Sequence, residues 1–412
     1  PRHLKMTKNL NQNLIPILVI IGGGFLLLIS FGLRHGSGLY LLPISEHLDT
    51  GREVFGFAAA LQVLMVGVGS PVFGALSDKY GSGKASLIGI LILIGGLVWM
   101  GNTHSPFDII GSQTLFGLGS AGCGTAVVLG AVGRSVKAAN RTLALGVVMA
   151  AGSFGQFLMV PFTEFLIGFV GWAQSLIYLS FIAGIMIIFS FALNFSGKSE
   201  SSKAGTDQTL EQALTEAFKS KSFNFLTAGF FVCGFHVTFV AVHLPAFIED
   251  ESLASWVGGW SLALIGLFNV IGTIYFGYLG DRMSKKNLLA LLYSLRGLLF
   301  LIFIFLPKTE LTVLIFACIL GVLWLSTVPL TSGIITVVFG PYYMSMLYGI
   351  AFMSHQVGSF LGSWLGGRLY DIYGSYEIMW WICVGLGFIA AVMHLPIKEI
   401  AVPRLLKSEL KT

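Results

Sequence analysis

Arg34 follows directly on the apolar run Leu14 to Leu33, and His236, Gln156, His355 and Gln356 lie inside later runs of the same kind. Ionisable and strongly polar groups are costly in such places, so they are read first for function. A guanidinium presents planar, paired N–H donors that match a carboxylate. An imidazole changes charge near neutral pH. The competing assignments are snorkelling of Arg34 to the outer interface, packing with a single hydrogen bond for His236, and helix-to-helix hydrogen bonding for Gln156, His355 and Gln356. Trp324 offers an apolar wall or plain aromatic packing. Arg296, in the middle of a ninth run, is expected to pair internally and serve structure. Away from the ends of the runs there is no Asp or Glu; Glu164 and Glu249 fall near outer boundaries. A path with Arg and His but no carboxylate suits an anion better than an organic cation.

The elements that must position these groups follow from composition. Of the 412 residues 55% are hydrophobic and 10% charged, and the mean hydropathy is +0.84. A water-soluble protein usually carries about 25% charged residues. Crossing a hydrocarbon layer of about 30 Å takes roughly 20 mostly apolar residues, and blocks of that size recur along the whole chain. The expected spans are 14–42, 53–76, 84–103, 108–131, 143–167 and 171–195, then 222–248, 255–279, 286–306, 311–338, 346–368 and 375–396. The first block is too long for a cleaved leader and lacks a small-residue cleavage site, so it is read as a retained span. The chain opens on Pro1, and its natural start is expected upstream. Cys123, Cys233, Cys318 and Cys383 sit in apolar blocks without disulfide or metal-type spacing and read as small packing residues.

The net charge of +5 is not a nucleic-acid signal, because of where the basic residues fall. Nineteen of the 24 Lys and Arg collect at the two termini and in alternate connections, including Lys79, Lys84, Arg134, Lys137, Arg141, Arg282, Lys285 and Lys286. If each block crosses once, all of them share one side, and the positive-inside rule makes that side cytoplasmic. Both termini are then cytoplasmic and the number of spans is even. Gly197 to Ser222 is the long polar interruption; it opens with linker composition, and Thr209 to Phe218 has helical character along the cytoplasmic face.

The chain also repeats itself. Gly74, Gly130, Gly146, Gly155 and Gly171 recur 203 residues later as Gly277, Gly333, Gly349, Gly358 and Gly374, and Asp78 recurs as Asp281. Before the second span the offset is 202, as Gly32 with Gly234 and Pro43 with Pro245 show; it pairs Arg34 with His236. The repeat contains six crossings, so the two halves keep the same orientation. Parallel halves of this kind place a small-molecule site between them near mid-membrane.

Two connections carry motifs. Gly74-Ala-Leu-Ser-Asp78-Lys79-Tyr-Gly81-Ser-Gly-Lys84 and Gly277-Tyr-Leu-Gly-Asp281-Arg282-Met-Ser-Lys285-Lys286 both resemble the signature loop of the major facilitator superfamily. Glycine allows close helix approach, and an aspartate can meet a helix end or a basic side chain. The resemblance implies that Gly74, Asp78, Lys79, Gly81, Gly277, Asp281 and Arg282 latch the halves together in one gating state. It also implies a fold of twelve transmembrane helices in two pseudo-symmetric six-helix bundles. The expected division is 1–196 for the first bundle, 197–221 for a cytoplasmic linker with a short amphipathic helix, 222–398 for the second bundle and 399–412 for a tail.

Arg141-Thr-Leu143-Ala144-Leu-Gly146, leading into Gly152-Ser-Phe-Gly155-Gln156, is similar to the loop before the fifth helix in the monocarboxylate-porter-like branch. Gly32-Leu-Arg34-His35-Gly-Ser-Gly-Leu-Tyr40 resembles that branch's first helix, where a basic residue sits in the transport path. In such a fold the first and seventh helices line the cavity, so the resemblance brings Arg34 and His236 face to face. Departures from the branch are an absent acidic-glycine motif before the first helix, and Asn269 and Thr273 where an Asp and Arg pair is expected in the eighth. In the fourth span Gln113, ahead of Gly117 and Gly119, replaces the arginine usual in proton-coupled drug exporters.

The expectation is therefore an all-α secondary transporter for a small organic anion, a monocarboxylate above all, working by alternating access in a plasma or bacterial inner membrane. Arg34, His236, Gln156, His355, Gln356, Asn269, Tyr40 and Trp324 are its candidate substrate residues. Proton coupling and anion exchange stay open, and the chain is expected to be monomeric. An exporter of amphipathic or apolar compounds is the alternative, using the Phe-rich surfaces and needing no arginine. A non-transporting receptor or scaffold would usually carry an appended signalling domain. No cofactor, metal cluster, nucleic-acid partner or catalytic constellation is expected, so the chain is not read as an enzyme.

Overall fold

The computed structural model describes residues 2–36, 40–50, 52–196, 208–254 and 256–409. They are helical throughout apart from short connections: α1 (Arg2–Gly36), α2 (Leu41–His47), α3 (Arg52–Tyr80), α4 (Ser82–Gly101), α5 (Pro106–Gly122), α6 (Thr125–Ser135), α7 (Arg141–Val170) and α8 (Trp172–Ala192), then α9 (Leu210–Lys219), α10 (Lys221–Asp250), α11 (Trp256–Gly280), α12 (Lys285–Phe305), α13 (Glu310–Leu323), α14 (Thr327–Phe339), α15 (Met344–Tyr373), α16 (Glu377–His394) and α17 (Pro403–Glu409). Helices satisfy their own backbone groups, which is what a bilayer demands. Phe165, Phe169, Phe181, Ile188 and Phe305 are all more than 60% exposed, as suits side chains turned toward acyl chains.

Eleven stretches of the described residues are long and apolar enough to cross. The remaining expected span, 346–368, falls on α15, whose Ser354, His355 and Gln356 lower its apolar content without shortening it. Two spans are broken. The fourth divides into α5 and α6 at Cys123 and Gly124, and the tenth into α13 and α14 between Trp324 and Ser326, at nearly the same place in the repeat. The first span ends at Gly36, short of the expected residue 42, and Tyr40 leads instead into the separate α2.

The repeat is visible in the packing. α1 lies on α7 and α10 on α15, so each half builds the same internal pair. α3 crosses to α15 and α11 to α7, which makes the two main contacts between halves repeat-related as well. Gly171 and Gly374, matched in the sequence repeat, end α7 and α15 with φ of 82° and 66°, a backbone that strains any residue with a Cβ.

Residues 197–207, which carry the linker composition, and 410–412 of the tail lie outside the described residues, as do the side chains of Glu164 and Glu249. The expected linker helix is α9, opened by a capping box in which Thr209 and Gln212 satisfy each other's backbone N–H groups. It buries Ala213 and Ala217. Glu216 pairs with Arg404 of α17 at 3.4 Å, and the Tyr343 hydroxyl donates to the Gln208 carbonyl at 2.9 Å.

Candidate substrate cavity and gate

A cavity of about 290 Å³ lies between the halves. Arg34 and His35 enter it from the last turns of α1, Gln62 from α3 and Gln156 from α7; the other half contributes Thr238 from α10, Trp324 from the α13–α14 break, and His355, Gln356 and Ser359 from α15. Phe31, Leu262, Ile265, Val328 and Phe352 supply apolar walls. Arg34 sits 5.8 Å from the centre of the Phe31 ring, and the His35 Nδ1 pairs with the Phe31 carbonyl oxygen at 2.8 Å. His355 lies between Phe230 and Phe352, with ring centres 4.8 and 5.2 Å away. Its Nδ1 pairs with the Gln356 Oε1 at 3.0 Å, while Gln356 Nε2 donates across the halves to the Val63 carbonyl at 3.3 Å. No Asp or Glu is among the described residues of the lining.

The lining follows the repeat, but its polarity does not. Ala59 and Leu262, Gln62 and Ile265, Thr125 and Val328, Met149 and Phe352, and Gln156 and Ser359 are pairs at offset 203, and His35 and Val237 a pair at 202. For Gln62, Thr125 and His35 the polar member belongs to the first half and its counterpart is aliphatic. The second half adds His355 and Gln356, whose counterparts are Gly152 and Ser153.

Five of the eight candidate substrate residues therefore reach the cavity: Arg34, Gln156, His355, Gln356 and Trp324. Three do not. His236 turns into the second half, where its Nε2 pairs with the Cys383 carbonyl at 2.9 Å and its ring packs on Phe300. Successive residues on a helix point about 100° apart, so Val237 and Thr238 line the cavity and His236 does not. Tyr40 is buried in the first half, its hydroxyl 2.9 Å from the Ser175 Oγ. Asn269 donates to the Ser153 Oγ at 2.6 Å and accepts from the Leu325 N–H at 2.9 Å, which makes it a connector between elements. Arg296 meets the expectation of an internal role: it is 1% exposed and donates to the Leu323 and Trp324 carbonyls that the broken helix leaves unpaired. Gln62, His35 and Thr238 are lining residues that the sequence reading passed over.

Below the cavity, at the end where the basic connections collect, the halves are pinned twice. Asp78 at the end of α3 accepts from the Met346 N–H at 2.9 Å, in the first turn of α15. Asp281 accepts from the Thr142 and Leu143 N–H groups at 2.9 and 2.8 Å, in the first turn of α7. Each carboxylate thus caps the positive end of a helix in the opposite half, and Met346 and Leu143 are themselves 203 residues apart. Glycine makes the approach possible: a Cβ on Gly74 would stand 2.4 Å from the Ser345 carbonyl oxygen, and one on Gly277 would stand 2.9 Å from that of Thr142.

The two pins differ in their cation. Arg134 of α6 binds Asp78 at 2.6 Å, with both side chains almost fully buried, and also reaches Ser82 at 2.5 Å and Ser345 at 3.2 Å. Its repeat position is Val337. Lys79 and Arg282, expected in the latch, lie instead over the rings of their neighbours Tyr80 and Tyr278, at 5.1 and 3.7 Å from the ring centres. Gly81 has a φ of 105° and nothing within 4 Å of its would-be Cβ, so it serves the turn and not the contact.

Residues 20–363 match the model of the Major Facilitator Superfamily. The chain is 25% identical to monocarboxylate transporter 11 of Mus musculus over 368 residues, covering 86% of this chain and 81% of that one. It is 21% identical over 353 residues to the oxalate:formate antiporter of Oxalobacter formigenes, covering 83% and 82%. Its fold is similar to that of the proton:xylose symporter XylE bound to 6-bromo-6-deoxy-D-glucose, with a TM-score of 0.71 and 14% identity over 95% of this chain and 98% of the other. The chain belongs to the major facilitator superfamily. It is a multi-pass membrane transporter resembling the monocarboxylate-transporter branch, and not an enzyme.

Proposed function

We propose that this carrier moves a small organic anion with a single carboxylate, by alternating access, with Arg34 holding the carboxylate. The observation that carries the reading is the chemistry of the cavity: a guanidinium and several amide and imidazole donors face it, and no described lining residue is a carboxylate. An anion entering this space leaves water for a positive, donor-rich setting, while its apolar body meets Phe31, Phe352 and Trp324. The name of monocarboxylate transporter 11 agrees with that choice, and that of the oxalate:formate antiporter agrees with a small carboxylate anion.

The end bearing Asp78 and Asp281 is the cytoplasmic one, by the distribution of Lys and Arg. With both pins formed, that side is shut, and substrate reaches Arg34 from outside past the exposed ring of His35. Release inward then requires both carboxylates to leave their helix ends. His355 and His35 add imidazoles to the same lining, one from each half. We keep the domain division expected from the sequence as part of this proposal, with α9 and α17 as cytoplasmic braces.

Uptake of radiolabelled pyruvate into proteoliposomes, with and without a proton gradient, tests the proposal. Wild-type protein accumulates label and Arg34→Ala, inserted and folded, does not; unchanged uptake by Arg34→Ala removes the assignment. Transport of lipophilic cations in place of pyruvate would favour an exporter of amphipathic compounds.

A further inference from the structure

The broken tenth span is held open by side chains that its repeat counterpart lacks. Arg296 Nε and Nη2 donate to the Leu323 carbonyl at 2.9 and 2.5 Å, and Nη2 also reaches the Trp324 carbonyl. From the other side Asn269 Oδ1 accepts from the Leu325 N–H at 2.9 Å. The peptide units around Trp324 are thus gripped on both their carbonyl and N–H groups, and Trp324 and Leu325 are cavity wall. Asn269 is also joined to the opposite half, through its amide N–H to the Ser153 Oγ at 2.6 Å. In the first half the matching break at Cys123 and Gly124 forms without any of this. Its repeat-related positions are Leu93 and Val66, both buried and apolar. Burying a guanidinium and an amide is costly unless they are hydrogen-bonded; here they stand in for Gly122 and Gly124 of the first break, and the backbone they fix is a cavity wall.

We propose that Arg296 and Asn269 are positioning residues that clamp the α13–α14 break, setting Trp324 and Leu325 as the substrate-facing wall, and that Asn269, through Ser153, ties the seat of that wall to the contact between halves. This rests on the cavity being the transport site. When the halves rock apart at α7 and α11, the Ser153 bond breaks and the Leu325 N–H is held by an amide no longer anchored across the interface. The wall itself stays gripped by Arg296 and Asn269, so the Ser153 bond biases only the change of state. Ser153 acts only on that coupling, whereas Arg296 and Asn269 act on the wall itself.

The test uses the full-length carrier in proteoliposomes with radiolabelled pyruvate as probe, and iodide quenching of the Trp324 emission, taken as the difference from a Trp324→Phe partner in each background. Arg296→Lys is expected to raise the pyruvate KM about tenfold with kcat nearly kept, the mark of lost uniform binding. Asn269→Val, which also loses the Ser153 bond, is expected to raise KM likewise and to change kcat as Ser153→Ala does. Both make Trp324 more quenchable. Ser153→Ala is expected to change kcat while leaving KM and quenching as in wild type. Should Arg296→Lys fail to fold, Asn269→Val, which installs the residue the first half uses, decides alone. Wild-type quenching of Trp324 in Asn269→Val overturns the clamp, and a Ser153→Ala carrier with wild-type kcat overturns the tie between halves. Quenching needs no substrate, so a wild-type protein that moves no pyruvate would defeat the anion reading while the clamp is still judged.

Discussion

Asp78 and Asp281 do the same thing to opposite halves of this carrier: each lays its carboxylate on the first-turn N–H groups of a helix across the interface, at 2.9 Å for Asp78 to Met346 and 2.8 Å for Asp281 to Leu143. The helices they cap, α15 and α7, are also those that bring His355, Gln356 and Gln156 to the cavity. In the proposed transport cycle, gate and site therefore share the same two helices.

The pins are unequal, and their variants should rank accordingly. Asp78→Asn leaves Arg134 buried without its counter-charge, a defect that typically costs about 3–5 kcal/mol. Asp281→Asn loses a charge at a helix end, worth about 0.3–1 kcal/mol near a surface. Thiol labelling of Gln62→Cys from the cytoplasmic side should rise strongly with Asp78→Asn and slightly with Asp281→Asn. The reverse order would refute the role given to Arg134.

Close helix approach at the gate predicts a steric block. A Cβ on Gly146 would stand 2.3 Å from the Thr273 carbonyl oxygen and one on Gly349 2.6 Å from that of Ser70, another repeat-related pair. Gly95 and Gly184 have nothing within 4 Å. Gly146→Val and Gly349→Val should hold the gate open and abolish net uptake in proteoliposomes, while Gly95→Ala and Gly184→Ala transport at wild-type rates.

Much of this was legible in the sequence, for identifiable reasons. Apolar blocks of bilayer length and a fixed offset define the spans and the two halves, and the glycines and aspartates of the gate repeat in register. Helix phase was not legible. In a membrane bundle the lipid face and the packed face are both apolar, so periodicity does not say which side of α10 faces inward, and nothing in the sequence separates His236, which turns away, from Thr238, which lines the cavity. The break at Trp324 carries no glycine or proline at its centre, unlike Gly122 and Gly124 in the first half. Arg134 read as a topology signal because its sequence neighbours are those of a basic connection; only the fold brings it to Asp78.

The polarity difference between the halves gives a further prediction. Gln62 faces the cavity where its counterpart is Ile265. Gln62→Ile removes a donor, and a hydrogen bond to a charged partner is worth about 1.5–3 kcal/mol, so the pyruvate KM should rise by roughly tenfold to a hundredfold. Ile265→Gln, which adds a polar group to the apolar wall, should not restore it in the double variant.

The most direct test of the central claim compares propionate with propionamide as competitors of labelled pyruvate binding to the purified carrier. The two match in shape and differ in charge. If the Arg34 guanidinium receives a carboxylate, propionate competes better by about tenfold or more, the scale of a charge-assisted hydrogen bond, and Arg34→Gln erases the preference. Equal competition by acid and amide, or a preference that survives in Arg34→Gln, would contradict it.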